Sequence, residues 1–378
     1  MKREKKQWLF SLFLAFPVLA GGLWFGCRYL GKLRKEPPNI VMIGIDALRP
    51  DHLGVYGYPR PTSPNIDALA QKGLIFENAF TTAPWTLPSV VSVITSLYPS
   101  YHGVSFGYFP ASAQAQEFLV KENLLRRFSE AGYQEVMITI GWISYLAVLL
   151  PKSPYIEIQT SVKKADQISD YAIEWLDHYR GRRPFFMFLY YMDVHPSYEP
   201  AEKYLRLFRS SPGLKKANIN LCAFNNHSEE TIKGLIDLYD AEIRHTDEQI
   251  GRVLSKLSEK KLMENTVIII WADHGFAFGE HEGYICHGVK LYNEFIRIPL
   301  IIVVPGIEQK GLQVKGYVQH IDLYPTLLEL ARIPASSEIQ GKSLLPLIQG
   351  KVPPESGTHS EIYTELIIDS LKGSCFVI

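Results

Sequence analysis

Asn39-Ile40-Val41-Met42-Ile43-Gly44-Ile45-Asp46 is a continuous apolar run closed by a carboxylate. A run without polar alternation suits a strand covered on both faces, as in a parallel sheet packed between helices. Further strands are expected at 74–80, 135–140, 184–192, 266–272 and 299–304. Helical patterns fall between them at 64–72, 88–97, 118–131, 165–179, 229–260 and 323–331. Pro88 lies in a first turn, where a missing N–H costs nothing. Alternating strands and helices predict an α/β domain with a doubly wound, mostly parallel central sheet and helices on both faces.

Ligands of such sheets gather at the carboxyl ends of the strands. Asp46 ends the first strand, and Asp273-His274 directly follows Thr266-Val267-Ile268-Ile269-Ile270-Trp271-Ala272. A lone Asp at a strand end is equally a turn or cap residue. An Asp and a His at the end of an apolar strand need a partner. Carboxylate and imidazole donors suit Zn, Mn, Ca or Mg and do not select among them.

The 378 residues suffice for one large α/β domain or two ordinary ones. Lys+Arg and Asp+Glu are equal at 39 each, so no global field points to nucleic acid. Four cysteines (Cys27, Cys222, Cys286, Cys375) are too few and scattered for a disulfide framework, and Cys286 reads as an incidental thiol. Residues 8–26 carry no charge and are just long enough to cross a bilayer. Ala20-Gly21-Gly22 is a weak cleavage site, so an uncleaved signal anchor is expected. Lys2, Arg3, Lys5 and Lys6 before the span balance Arg28, Lys32, Arg34 and Lys35 after it, which leaves orientation open. The expected organisation is an anchor and basic linker over 1–37, a main domain over 38–350 and a short C-terminal segment over 351–378.

Six segments in order resemble the sulfatase family of the alkaline phosphatase superfamily. They are Pro38 to Asp46; Thr86-Leu87-Pro88-Ser89 with Ile94-Thr95-Ser96-Leu97-Tyr98-Pro99 and His102-Gly103; Asp273-His274-Gly275 with Gly279-Glu280-His281; Leu291 to Pro305-Gly306; Asp322 to Ala331; and Gly341 to Leu347. The resemblance implies an alkaline phosphatase-like fold, a divalent metal (Ca, Mg, Mn or Zn) and an anionic ester substrate. It places Asp46, Asp273 and His274 as metal ligands, with Thr86 at the nucleophile position and on the metal. Tyr191-Met192-Asp193-Val194-His195 resembles the family's active-site histidine segment and makes His195 a candidate to protonate the leaving oxygen or to hydrogen-bond the transferred group. His287 and Lys290 fall near the family's substrate-contacting lysine without strict register. The resemblance also implies that the domain lies outside the cytoplasm, and the uncharged run at 8–26 is expected to attach it to the membrane.

Departures from the family pattern shape the chemistry. Thr86 stands where a sulfatase carries the cysteine that becomes formylglycine, so no aldehyde hydrate can form. Ala47 replaces a second aspartate, Val90 replaces an arginine, and Ile140-Gly141-Trp142-Ile143-Ser144 lacks the lysine and histidine that grip sulfate. The expected activity is metal-dependent hydrolysis of sulfuric or phosphoric esters by a metal-bound threonine, with phosphate esters favoured. The alternatives are a phosphoglycerol or phosphoethanolamine transferase, or a non-catalytic binding protein that keeps the fold. The charges of the long amphipathic pattern, Asp240 and Asp247 among them, read as a solvated face.

Overall fold

The computed structural model describes residues 36–105, 122–139, 156–159, 164–209, 214–217, 227–281, 283–288, 290–307, 311–336, 338–368 and 371–377. The 8–26 run, the Ile140 to Ser144 segment and the first part of the expected 118–131 helix lie outside them. Among the described residues no helix is long and apolar enough to cross a membrane.

The strands are β1 (Asn39–Ile45), β2 (Leu74–Phe80), β3 (Gln134–Ile138), β4 (Ile156–Gln159), β5 (Phe185–Tyr191), β6 (Thr266–Ala272), β7 (Ala277–Phe278), β8 (Ile285–Cys286), β9 (Arg297–Val303) and β10 (Leu312–Gln319). Eight of them form one sheet in the order β10-β2-β9-β6-β1-β5-β3-β4. Every residue of β1, β5 and β6 is buried, so both faces of the sheet centre are covered, as the unbroken apolar runs require. All pairings are parallel except those of β9, which runs antiparallel to both β2 and β6. The apolar run at 299–304 fixed burial but carried no direction.

The longer helices are α1 (Pro64–Ala70), α2 (Thr86–Thr95), α3 (Leu124–Glu130), α4 (Ala165–His178), α5 (Glu202–Phe208), α6 (Glu229–Glu259) and α7 (Leu323–Ala331). They pack in two groups, one in which α1, α4 and α5 contact α6, and one formed by α2, α3 and α7. The expected solvated face of α6 is corrected by the structure. Asp240 and Asp247 are fully buried. Asp240 is held by His52, Tyr58 and Arg60 at 2.8, 2.7 and 2.6 Å. Asp247 accepts the backbone N–H groups of Asn65 (3.0 Å) and Ile66 (2.8 Å) and so caps α1. Charges on this amphipathic helix were read as exposed because their partners lie about 180 residues away in sequence.

Besides the short β4, β7, β8 and α5, three strands were not expected. β10 alternates buried and exposed positions, as a sheet edge does. Beyond it, β11 (Tyr363–Ile368) and β12 (Leu371–Val377) form an antiparallel hairpin within the expected C-terminal segment. Glu365 N–H and Thr364 Oγ1–H donate to the carbonyls of Thr82 and Thr81, tying the hairpin to the strand that leads into α2.

Candidate active site

Strand register assembles the site. Ile45 stands opposite Ala272 of β6 and Tyr191 of β5, so the residues that follow all three strands emerge side by side. Asp46 continues the ladder by donating its N–H to the Tyr191 carbonyl. The chain then turns through Ala47, which adopts φ 56°. That left-handed conformation costs an alanine roughly 1–2 kcal/mol. It is held by Ala47 N–H donating to Asp273 Oδ1 (3.2 Å) and by Tyr239 Oη–H donating to the Ala47 carbonyl (2.8 Å). Ala47, which departs from the family pattern, thus uses its backbone to orient a metal-ligand candidate.

Asp46, Asp273 and His274 are fully buried, and their donor atoms lie within 4.8 Å of one another. His274 Nδ1 lies 2.8 Å from the Gly275 carbonyl, so that nitrogen carries the proton. Nε2 therefore presents its lone pair to Thr86 Oγ1 (3.1 Å), Asp273 Oδ2 (3.3 Å) and Asp46 Oδ1 (3.5 Å). Both oxygens of Asp46, and Oδ2 of Asp273, are buried with no hydrogen-bond partner. Burial pushes the Asp46 carboxyl well above its ordinary range; Asp273 adds to this and His274 opposes it. Buried carboxylate oxygens without donors, beside an imidazole lone pair, fit a divalent cation, and the oxygen/nitrogen set suits the metals named above.

Thr86 is the first residue of α2, which starts two residues before the expected 88–97 helix, with Trp85 at the N-cap. A β-branched hydroxyl residue at a helix start has its side chain beside the positive end of the helix. Ser89, one turn on, donates its hydroxyl to the Asp273 carbonyl (2.7 Å) and lies 2.8 Å from His320 Nε2. The helix that carries the hydroxyl is thereby bolted to the segment that carries the ligands.

His195 and His287 complete the cluster. His195 Nδ1–H donates to the Pro196 carbonyl, which leaves Nε2 as an acceptor 3.0 Å from His287 Nε2. His287 then carries the proton on Nε2. Burial lowers the pKa of both rings, and the neighbouring His274 and His195 push His287 down further. The His287 ring stacks on His274 with centroids 4.5 Å apart and against Trp85 at 4.6 Å. The two rings thus share one proton in a neutral pair, with His287 as donor and His195 as acceptor. Lys290 is exposed and makes no hydrogen bond or ion pair with the cluster among the described residues. His281 stands apart, paired with Glu294 at 3.0 Å.

Trp85, Tyr190, Ser89, Tyr239 and Arg49 had no assigned place in the sequence reading. The spacing of Ser89 three residues after Thr86 was the available signal for one of them. Tyr190 stands beside the two carboxylates, and burial together with their charge holds its hydroxyl well above its usual pKa. Arg49 donates to Asp51, Glu280 and the Phe276 carbonyl, pinning the loop after β6. Cys286, read as an incidental thiol, is disulfide-bonded, which corrects that expectation and anchors the residue beside His287.

Comparison with known proteins agrees with this geometry. The Sulfatase family matches residues 38–333. An arylsulfatase of Clostridium perfringens is 26% identical over 82% of this chain and 78% of its own length. An ulvan-active sulfatase of Formosa agariphila is 28% identical over 84% of this chain, which spans 66% of that relative. Among solved structures, the phosphonate monoester hydrolase of Agrobacterium radiobacter superposes with a TM-score of 0.70 at 19% identity, covering 87% of this chain and 80% of its own. A structure solved with its substrate, D-glucosamine-2-N,6-O-disulfate, gives 0.71 at 20% identity, covering 91% and 87%. At such identities the structures establish the fold, and the family match establishes descent. The chain belongs to the Sulfatase family of ester hydrolases.

Proposed function

We propose that this chain hydrolyses anionic esters with the Thr86 hydroxyl as nucleophile, and that phosphate esters are favoured over sulfate esters. The observation that carries this reading is Thr86 Oγ1 lying 3.1 Å from His274 Nε2 within a buried cluster where both Asp46 oxygens and Asp273 Oδ2 have no hydrogen-bond partner. A threonine has no route to the aldehyde hydrate that a cysteine at this position provides. A divalent cation held by Asp46, Asp273 and His274 would lower the pKa of the hydroxyl and offset the substrate's negative charge.

The chain's own groups supply the remaining steps. The Thr86 oxygen bonds to phosphorus as the bond from phosphorus to the ester oxygen breaks, and the proton that Thr86 gives up reaches the leaving oxygen through the His195–His287 pair, which ends as it began. Trp85 and the stacked His274 ring keep the His287 imidazole in place. Thr86 and Leu87 bring N–H groups to the first turn of α2, where the helix dipole favours the transferred oxyanion. Water then cleaves the threonine ester: its hydroxyl oxygen bonds to phosphorus, and its other proton returns to the Thr86 oxygen.

We also propose that residues 8–26 anchor the chain in a membrane with the catalytic domain outside the cytoplasm. The uncharged run and the disulfide at Cys286 support this, because disulfides persist in oxidising compartments. The test of the activity is turnover of aryl phosphate, phosphodiester and aryl sulfate by wild type and Thr86→Ala, with metal content measured on both. A drop of at least about 10³-fold on a phosphate ester is expected. Bound metal with no Thr86-dependent turnover on any ester would instead mark a binding protein.

A further inference from the structure

A second group of metal-type ligands stands apart from Asp46, Asp273 and His274. Asp193 follows β5, while Glu242 and His245 occupy positions i and i+3 on α6 and so share one helix face. The three donor atoms lie within 4.8 Å of one another. His245 Nδ1 is 3.6 Å from Asp193 Oδ1 and 3.8 Å from Glu242 Oε2. The side chains of Asp193, Glu242 and His245 are 6%, 6% and 13% exposed.

Three observations point to a cation site. First, the separations are too long for hydrogen bonds, yet they match the edge of about 3.4 Å between tetrahedral ligands at about 2.1 Å from an ion. Second, Asp193 Oδ2 is buried with no hydrogen-bond partner, whereas Glu242 Oε1 accepts the Glu199 N–H at 2.9 Å and leaves Oε2 toward His245. Third, no Lys or Arg forms an ion pair with either carboxylate among the described residues. Burial, with Glu242 adding and the Ala165 amide, His245 and Lys164 opposing, raises the Asp193 carboxyl to about 6. Tyr204 stacks on the His245 ring at 4.9 Å and closes one side.

We infer that Asp193, Glu242 and His245 bind a second divalent ion of the zinc class, with water in the remaining position. The imidazole selects against calcium and magnesium. The ion joins α6 to the loop after β5, and His195 is two residues from Asp193 on that loop. The site therefore fixes the loop that presents His195 without touching substrate.

The test is zinc stoichiometry of the full chain after chelation and re-addition, by elemental analysis and titration calorimetry. Two equivalents are expected in wild type, one in Asp46→Asn/Asp273→Asn, and none when His245→Gln is added to that pair. Cobalt substitution of the Asp46→Asn/Asp273→Asn protein gives a second measurement, since the residual site should show tetrahedral cobalt absorption. A circular dichroism spectrum like wild type verifies that each variant folds. One equivalent in wild type, or an Asp46→Asn/Asp273→Asn protein that binds neither zinc nor cobalt, overturns the proposal and leaves the group as a buried His–carboxylate cluster.

Discussion

His102 should make the domain measurably acid-sensitive. Its Nδ1 accepts the Val104 N–H at 3.0 Å, and its Nε2 lies 3.0 Å from Ser92 Oγ on α2. With Nδ1 engaged as an acceptor, the native ring is neutral and protonated on Nε2. Burial lowers its pKa to about 3. In the unfolded chain it titrates near the ordinary value of about 6.5. The folded pKa is therefore depressed. The stability it confers is complete above about pH 6.5 and is lost as pH falls toward about 3. Between about pH 7 and pH 5 the unfolded state gains about three quarters of a proton that the native state refuses, which costs the native state about 2 kcal/mol.

His102→Asn isolates this term, because the asparagine Oδ1 can still accept the Val104 N–H while nothing titrates. Urea unfolding of wild type and variant at both pH values gives a difference of differences. Carboxylates, metal affinity and the other histidines, including His320 whose pKa burial and His102 lower to about 3, are common to both proteins and largely cancel. Wild type should lose about 2 kcal/mol more than the variant over this interval. Equal losses would mean that the ring is protonated inside the native protein and that its partners have been misread.

Gly288 adopts φ +88°, and a Cβ there would lie 2.1 Å from Trp85 Cε3. Gly288→Ala should displace Trp85 and, with it, Thr86 by about 1 Å, lowering kcat/KM about 10²-fold; an unchanged rate would show that Trp85 does not position the nucleophile. Asp247→Ala leaves the Asn65 and Ile66 N–H groups at the start of α1 without their acceptor. Urea unfolding should show a loss of about 3 kcal/mol, and a loss below about 1 kcal/mol would mean that water replaces the cap. Chelation should lower the thermal midpoint of wild type, with recovery on adding back a divalent ion, since an ion bound only to the native state stabilises it. A midpoint indifferent to chelator would mean that a proton, and not an ion, balances Asp46 and Asp273.

The elements legible in the sequence are those whose signal is local. The runs at 39–45, 74–80 and 266–272 and the helix at 323–331 lie where their apolar patterns place them, because burial on both faces demands unbroken hydrophobicity. β10 was missed because Lys315 and Gly316 interrupt a half-exposed edge strand. Asp46, Asp273 and His274 were legible for a related reason, being ionisable groups at the ends of buried strands. Asp193 and His245 were not, since no pattern within one segment links a loop after β5 to one face of α6.

The sequence by itself determined that an α/β sheet would carry a hydroxyl at residue 86 and an Asp-His pair at one strand end. Those facts rest on residue type and on spacing of a few positions. Only the tertiary structure decided which groups meet. It set β9 antiparallel, buried Asp240 and Asp247, brought His195 Nε2 to 3.0 Å from His287 Nε2, and left three carboxylate oxygens beside Thr86 without a hydrogen-bond partner. Strand direction, proton position and unmet hydrogen bonds depend on partners far along the chain, and these become neighbours only when the chain folds.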